Sequence, residues 1–94
     1  MRATFQQAFN AGVDLKINFS HINPNTWWYA INSELEHGTV HKDTNITNDN
    51  LIKTGKIVIA HLREMPDYYK RLRVMESIGE KYWNNKTKPR IYSP

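Results

Sequence analysis

Cysteine is absent from the 94-residue chain, which excludes disulfides, thiolate metal sites and cysteine nucleophiles and fits a reducing compartment. Long apolar runs are absent as well. No stretch approaches the roughly 20 apolar residues that a helix needs to cross a bilayer, and no apolar segment opens the chain as a secretion signal would. Matches to glycosylation acceptors begin at Asn18, Asn45 and Asn85. Without a secretion signal they read as coincidence in an asparagine-rich chain. The expected setting is therefore cytoplasmic, with no membrane partner. Apolar residues make up only 39% of the chain, but three Trp, five Tyr and three Phe bury much area per position. That suffices for one core, so residues 1–94 are expected to form a single domain.

Acidic charge is short in the second half. Residues 1–50 carry three Lys or Arg against five Asp or Glu, whereas residues 51–94 carry ten against four. A basic half can meet nucleic acid or an acidic partner, although a solvated helix face with a basic tail gives the same count.

The pattern along the chain is helical, and the expected fold is all-α: a small bundle of about four helices. Thr4 to Gly12 reads as a short helix with Phe5, Ala8 and Phe9 on one side and Gly12 placed to end it. Val13, Leu15, Ile17 and Phe19 then alternate with polar residues. A lone strand has nothing to pair with, so residues 13–22 read as an extended connector laid on the helices. A second helix runs from about Thr26 to His37 with Trp27, Trp28, Ile31 and Leu35 inward and Gly38 as its stop. A third, capped by Thr47 or Asn48, carries Leu51, Gly55, Val58, Leu62 and Met65, is widened by Ile52, Ile57 and Ile59, and is expected to be the most buried. Gly55 in mid-helix points to a close helix–helix approach. After Met65-Pro66 a fourth helix reaches Trp83, with Tyr68, Leu72, Met75, Gly79 and Tyr82 as its core stripe. The helical core thus covers about 26–83, and residues 84–94 read as a loose basic tail.

One pair of motifs invites a chemical reading. Glu34-Leu-Glu-His37 and His61-Leu-Arg-Glu64 each place a carboxylate and an imidazole three apart, roughly 60° around a helix. Helical bundles build carboxylate-bridged metal sites from such pairs, and Glu34, His37, His61 and Glu64 together could hold zinc or iron. Two considerations oppose convergence. His37 points roughly 130° away from the centre of its helix's apolar face. In a simple antiparallel hairpin His37 and His61 would also stand about 20 Å apart along the axis. Only helices running in the same sense bring them level, which a loop of about nine residues, reaching about 30 Å, permits. No cofactor is expected.

Other motifs fail on spacing. Asp43 to Asn50 lacks the central glycine and the final glutamate of a calcium loop. Thr54-Gly-Lys56 lacks the upstream glycine of a phosphate loop. No Ser/His/Asp set has a recognisable context. The basic face of the fourth helix and the tail, Lys70, Arg71, Arg73, Lys81, Lys86, Lys88 and Arg90, could contact phosphates without reading sequence. Tyr69 lies about 100° from Tyr68 around the helix, at a boundary where a half-exposed tyrosine would suit a protein-binding spot.

Glu-Leu-Glu-His-Gly at 34–38, Gly-Lys-Ile-Val-Ile-Ala-His-Leu-Arg-Glu at 55–64 and Pro-Asp-Tyr-Tyr-Lys-Arg-Leu at 66–72 resemble, in order and spacing, an uncharacterised domain family of small proteins from large double-stranded DNA viruses, phages and some bacteria. The resemblance covers about residues 26–83 and places Glu34, His37, Gly38, His61, Glu64, Pro66, Tyr68 and Tyr69 in its motif. It implies a viral or phage setting, in host cytoplasm or virion, and carries no activity. The expected function is that of a non-catalytic helical interaction or structural protein that binds a protein partner or itself. A small metalloprotein and a nucleic-acid-associated basic protein are the alternatives.

Overall fold

Side-chain caps start α-helices over the first two thirds of the chain. The structure, a computed structural model, describes residues 1–87. Thr4 opens α1 (Phe5–Asp14) with a capping box: its hydroxyl accepts from the Gln7 amide at 3.1 Å, and the Gln7 side chain accepts from the Thr4 amide at 2.9 Å. Asn23 caps α2 (Pro24–Val40), with Pro24 in the first turn, where its missing N–H costs nothing. Asn50, not Thr47 or Asn48, caps α3 (Leu51–Glu64) by accepting from the Lys53 amide at 3.0 Å. Asn48 and Asp49 instead hold left-handed φ values of 51° and 60°, a turn conformation that short polar side chains tolerate. A 3-10 turn, Lys42–Thr44, sits between α2 and α3. Pro66 and Asp67 form a corner, and α4 begins at Tyr68 and ends at Trp83. The expected all-α architecture is present, with no strand among the described residues.

The connector is not extended as the alternation suggested. α1 continues through Val13 to Asp14, and residues 15–22 fold into successive turns, with Lys16 at φ 61°. Leu15, Ile17, Phe19 and Ile22 still pack on the core from those turns. Turns can aim alternate apolar side chains at one surface as well as a strand can, so period two alone did not fix the backbone.

α2 is the central element, a place the sequence pattern gave to α3. Trp27, Ala30, Ile31, Asn32 and Leu35 are buried on α2, against Thr54, Gly55 and Val58 on α3. The Trp27 indole N–H donates to the Ala8 carbonyl at 2.8 Å, and the Trp28 N–H donates to the Ala3 carbonyl at 2.9 Å. Asn32 acts as a surrogate peptide group, accepting from the Ala3 amide at 2.8 Å and donating to its carbonyl at 3.1 Å. Every polar atom that these side chains bury therefore keeps a partner.

Three glycines mark close approaches. A Cβ on Gly12 would meet the Phe19 ring at 2.6 Å and the Trp27 indole nitrogen at 2.9 Å; one on Gly55 would collide with Leu15 and meet Trp27 at 3.3 Å. Gly55 thus does what its mid-helix position implied. Gly12 and Gly38, expected to stop helices, lie inside α1 and α2 because close packing, against Phe19 and Asn45 respectively, is what each glycine serves.

α4 departs most from the expected stripe. Tyr69 is buried and Tyr68 and Leu72 are half-buried, while Met75 and Tyr82 are exposed. The corner at Pro66-Asp67 starts the helix later than expected and turns Tyr69, rather than Tyr68, into the core. Beyond Leu72, every residue of α4 except Gly79 and Trp83 is exposed.

Candidate functional site

Three helices meet at one carboxylate. Glu34, on α2, has a side chain only 7% exposed. Its Oε1 accepts from the Tyr69 hydroxyl of α4 at 2.7 Å, and His61 Nδ1 of α3 lies 3.0 Å from the same oxygen. The ring nitrogen is also 3.1 Å from the Tyr69 hydroxyl. An ionised carboxylate only accepts, so Nδ1 carries the proton that faces it. Tyr68 stacks on the His61 ring with centroids 4.2 Å apart and planes tilted by 16°. Burial, then the hydrogen bond to Glu34 and its charge, push the Tyr69 phenol far above its ordinary range. Tyr69 stays a neutral donor at all ordinary pH.

The Glu/His motifs therefore meet in part. Glu34 and His61 are in direct contact, and Glu34 Oε2 lies 3.7 Å from His37 Nε2. The Trp27 ring reaches Gly55, and seven residues later Glu34 reaches His61. These contacts advance in the same sense along both helices, unlike those of an antiparallel hairpin. As its wheel position implied, the His37 side chain is 68% exposed. Glu64 is exposed at the end of α3, with no hydrogen bond or ion pair to the other three. Among the described residues no three His, Asp or Glu side chains are grouped to hold a metal ion. The cluster's chemistry is that of a fastener: one buried anion satisfied by donors from two other helices.

Tyr69 was expected near the surface as a partner-binding residue. It is 1% exposed, and the correction has a physical cause: the buried rotation of α4 gives Glu34 a second donor inside the bundle beside His61. With Tyr69 turned inward, Val74, Met75, Ile78 and Tyr82 turn outward, at 57%, 62%, 64% and 57% exposure. The i, i+4, i+8 spacing of Val74, Ile78 and Tyr82, with Met75 beside them, confines them to a sector of about 100°. A shallow groove of about 520 Å³ runs along this sector, lined by Asp67, Lys70, Arg71, Val74, Met75 and Ile78. Sequence reasoning placed Met75 and Tyr82 in the core and passed over Val74 and Ile78. The available signal was that α4 has more apolar residues than one buried sector can use.

The basic residues separate into groups. Arg71 pairs with Asp67 at 2.9 Å, and Arg71 holds the Asp67 carboxyl below its usual range. Arg73 lies over the Tyr29 ring at 4.3 Å, and Lys86 over the Tyr82 ring at 3.8 Å. Lys70 and Lys81 are exposed on α4. Lys88 and Arg90 lie outside the described residues.

A family model matches residues 8–78. The chain belongs to the DUF5661 family, whose description is a protein of unknown function. The DUF5661 match takes in Glu34, His61, Tyr69, Val74, Met75 and Ile78 and ends before Tyr82. It begins upstream of the motif-bearing span and agrees with that span in being uncharacterised. No curated protein and no solved structure matches the chain.

Proposed function

We propose that this DUF5661 protein is a non-catalytic interaction module that docks a protein surface through the outward face of α4, in a viral or phage setting, host cytoplasm or virion. The observation that carries the proposal is the exposure of Val74, Met75, Ile78 and Tyr82 on one side of α4. Single exposed apolar residues are ordinary, as Val13, Val40 and Ile46 are here. A contiguous apolar helix face is not, and it fits recognition of an amphipathic helix by a complementary groove or a second helix. The Glu34–His61–Tyr69 cluster supports the same function by fixing the rotation of α4. No helix among the described residues is long and apolar enough to cross a membrane. The motif spacing over 34–72 supports the viral or phage setting by resemblance alone.

Photo-crosslinking tests the proposal. A photoreactive residue at position 78 should yield one discrete adduct in cells that make the protein, with itself or with a single partner. The same residue at position 53, exposed on α3, should yield none. Equal smears from both positions, or no adduct from position 78, would overturn the proposal.

A further inference from the structure

Two concave grooves open side by side between α4 and α2, and Lys70 separates them from the groove on the apolar face of α4. One, about 380 Å³, is lined by Asn25, Thr26, Tyr29, Tyr69, Lys70 and Arg73. The other, about 340 Å³, shares Asn25, Tyr29 and Arg73 and adds Arg2, Trp28 and Glu36 among its walls. Arg73 lines both, Lys70 only the first and Arg2 only the second. Arg73, over Tyr29, stands where the two grooves adjoin, with Lys70 in one and Arg2 in the other, so the cations are spread along the pair of grooves rather than gathered on one point. The ion pairs among the described residues use Glu34, His37, His61, Asp67 and Arg71 and none of these three cations. Two of the three are braced by aromatic faces: Arg73 over Tyr29 at 4.3 Å and Arg2 over Trp28 at 5.7 Å. Such bracing orients a guanidinium and leaves its N–H groups free for an anion.

The geometry points to a binding trough for single-stranded nucleic acid along Lys70, Arg73 and Arg2. A row of cations matches a row of phosphates, one per nucleotide, better than it matches a single compact anion. The Arg2 and Arg73 guanidiniums cover the Trp28 and Tyr29 rings, and guanidinium planes, like aromatic rings, are surfaces on which bases stack. A duplex presents its phosphates on a broad convex surface that does not enter a trough of this size. An acidic peptide offers charge but no flat bases to stack on the Arg2 and Arg73 guanidiniums. Glu36, exposed at the Arg2 end, opposes any polyanion there and limits affinity. The trough adds Arg2 to the basic residues picked out by sequence and removes Arg71, which Asp67 already engages.

Fluorescence anisotropy with a labelled 20-mer of deoxythymidine tests the inference on the full chain. Three phosphate contacts predict a log–log salt slope of about −2, at ~0.7 per contact on a single strand. The double variant R2Q/K70Q, which leaves the Arg73–Tyr29 stack intact, should weaken binding ~10-fold and flatten the slope by about 1.4. Glu36→Gln should tighten binding. The double variant K53Q/K56Q, equal in charge change but on the exposed side of α3, should leave both affinity and slope unchanged. If R2Q/K70Q melts early, Lys70→Gln alone gives the same readout at half the slope change. Absence of binding at low salt, equal losses from the α3 control, or equal competition by a same-length duplex or by polyglutamate would each overturn the assignment.

Discussion

Replacing Tyr69 by Phe isolates the fastener at the centre of the molecule. The ring stays, so the packing around a 1%-exposed side chain is retained, and only the hydroxyl is lost. That hydroxyl donates to Glu34 Oε1 at 2.7 Å, a short bond to a charged acceptor. Bonds of this class contribute about 1.5–3 kcal/mol. His61 Nδ1 remains on the same oxygen at 3.0 Å, so Glu34 is not stranded, and the loss should fall near the middle, about 2 kcal/mol. In a domain of this size that corresponds to a drop in Tm of ~8–16 °C. Urea or thermal unfolding followed by circular dichroism at pH 7 reads it directly. Tyr68→Phe is the matched control, because the Tyr68 hydroxyl has no hydrogen-bond partner among the described residues, and it should stay within about 0.5 kcal/mol of wild type. The pH dependence gives a second readout. The Tyr69 phenol is held above its ordinary value of 10.0, so the folded state keeps a proton that the unfolded state releases. Its contribution is complete below pH 10 and is lost as pH rises above that toward the folded value. The gap between wild type and Tyr69→Phe should therefore narrow above pH 10. A Tyr69→Phe variant as stable as wild type, or a gap that widens at alkaline pH, would refute the assignment of Tyr69 as the donor that seats α4.

Glycine substitutions should split by environment. Gly55→Ala should cost about 1–3 kcal/mol by overpacking against Leu15 and Trp27, whereas Gly79→Ala, whose Cβ meets nothing within 4 Å, should gain up to about 1 kcal/mol from helix propensity; chemical denaturation of both measures the difference. The double variant M75E/I78E should leave Tm nearly unchanged, because both side chains are more than half exposed, while abolishing any adduct formed from the α4 face. Glu76 has its carboxyl raised by burial and then by the charges of Glu36 and Glu80, so its folded state resists ionisation. Its favourable contribution is fully present below the ordinary value of 4.5 and is lost as pH rises through the raised one. Glu76→Gln should consequently raise Tm at pH 7, and the gain should vanish near pH 4, which a pair of melting curves decides.

The helices were legible in the sequence because their caps and stripes are local. Asn23-Pro24 and the Thr4/Gln7 box start helices by hydrogen bonds that span three residues or fewer, and Trp27, Ile31 and Leu35 repeat at a helical period. What was not legible depends on partners distant in sequence. Glu34 reads as a surface carboxylate until Tyr69 and His61, 35 and 27 residues away, are placed beside it. The rotation of α4 could not be read either: Tyr68, Leu72, Met75 and Tyr82 make one plausible inward stripe, and Val74, Ile78 and Tyr82 another. The buried carboxylate chose between them. Gly12 was misread as a stop because a glycine that permits close packing and one that ends a helix look alike without the neighbour that crowds it, here Phe19. The Glu/His motifs were legible as residue types on helix faces, but their meeting required the sense in which α3 runs past α2, which only the long loop's path decides.

The two faces of α4 have opposite fates, one buried against Glu34 and one open to a partner, and hydroxyl-radical footprinting reads both in one experiment. The protein should be labelled once as a dilute purified sample and once inside cells that make it. Tyr69 should be protected in both. Met75 should react fully in the dilute sample and be protected in cells, where a partner or a second copy covers Val74, Met75, Ile78 and Tyr82. Protection of Met75 in the dilute sample, or equal reactivity in both, would contradict a docking role for the outward face of α4.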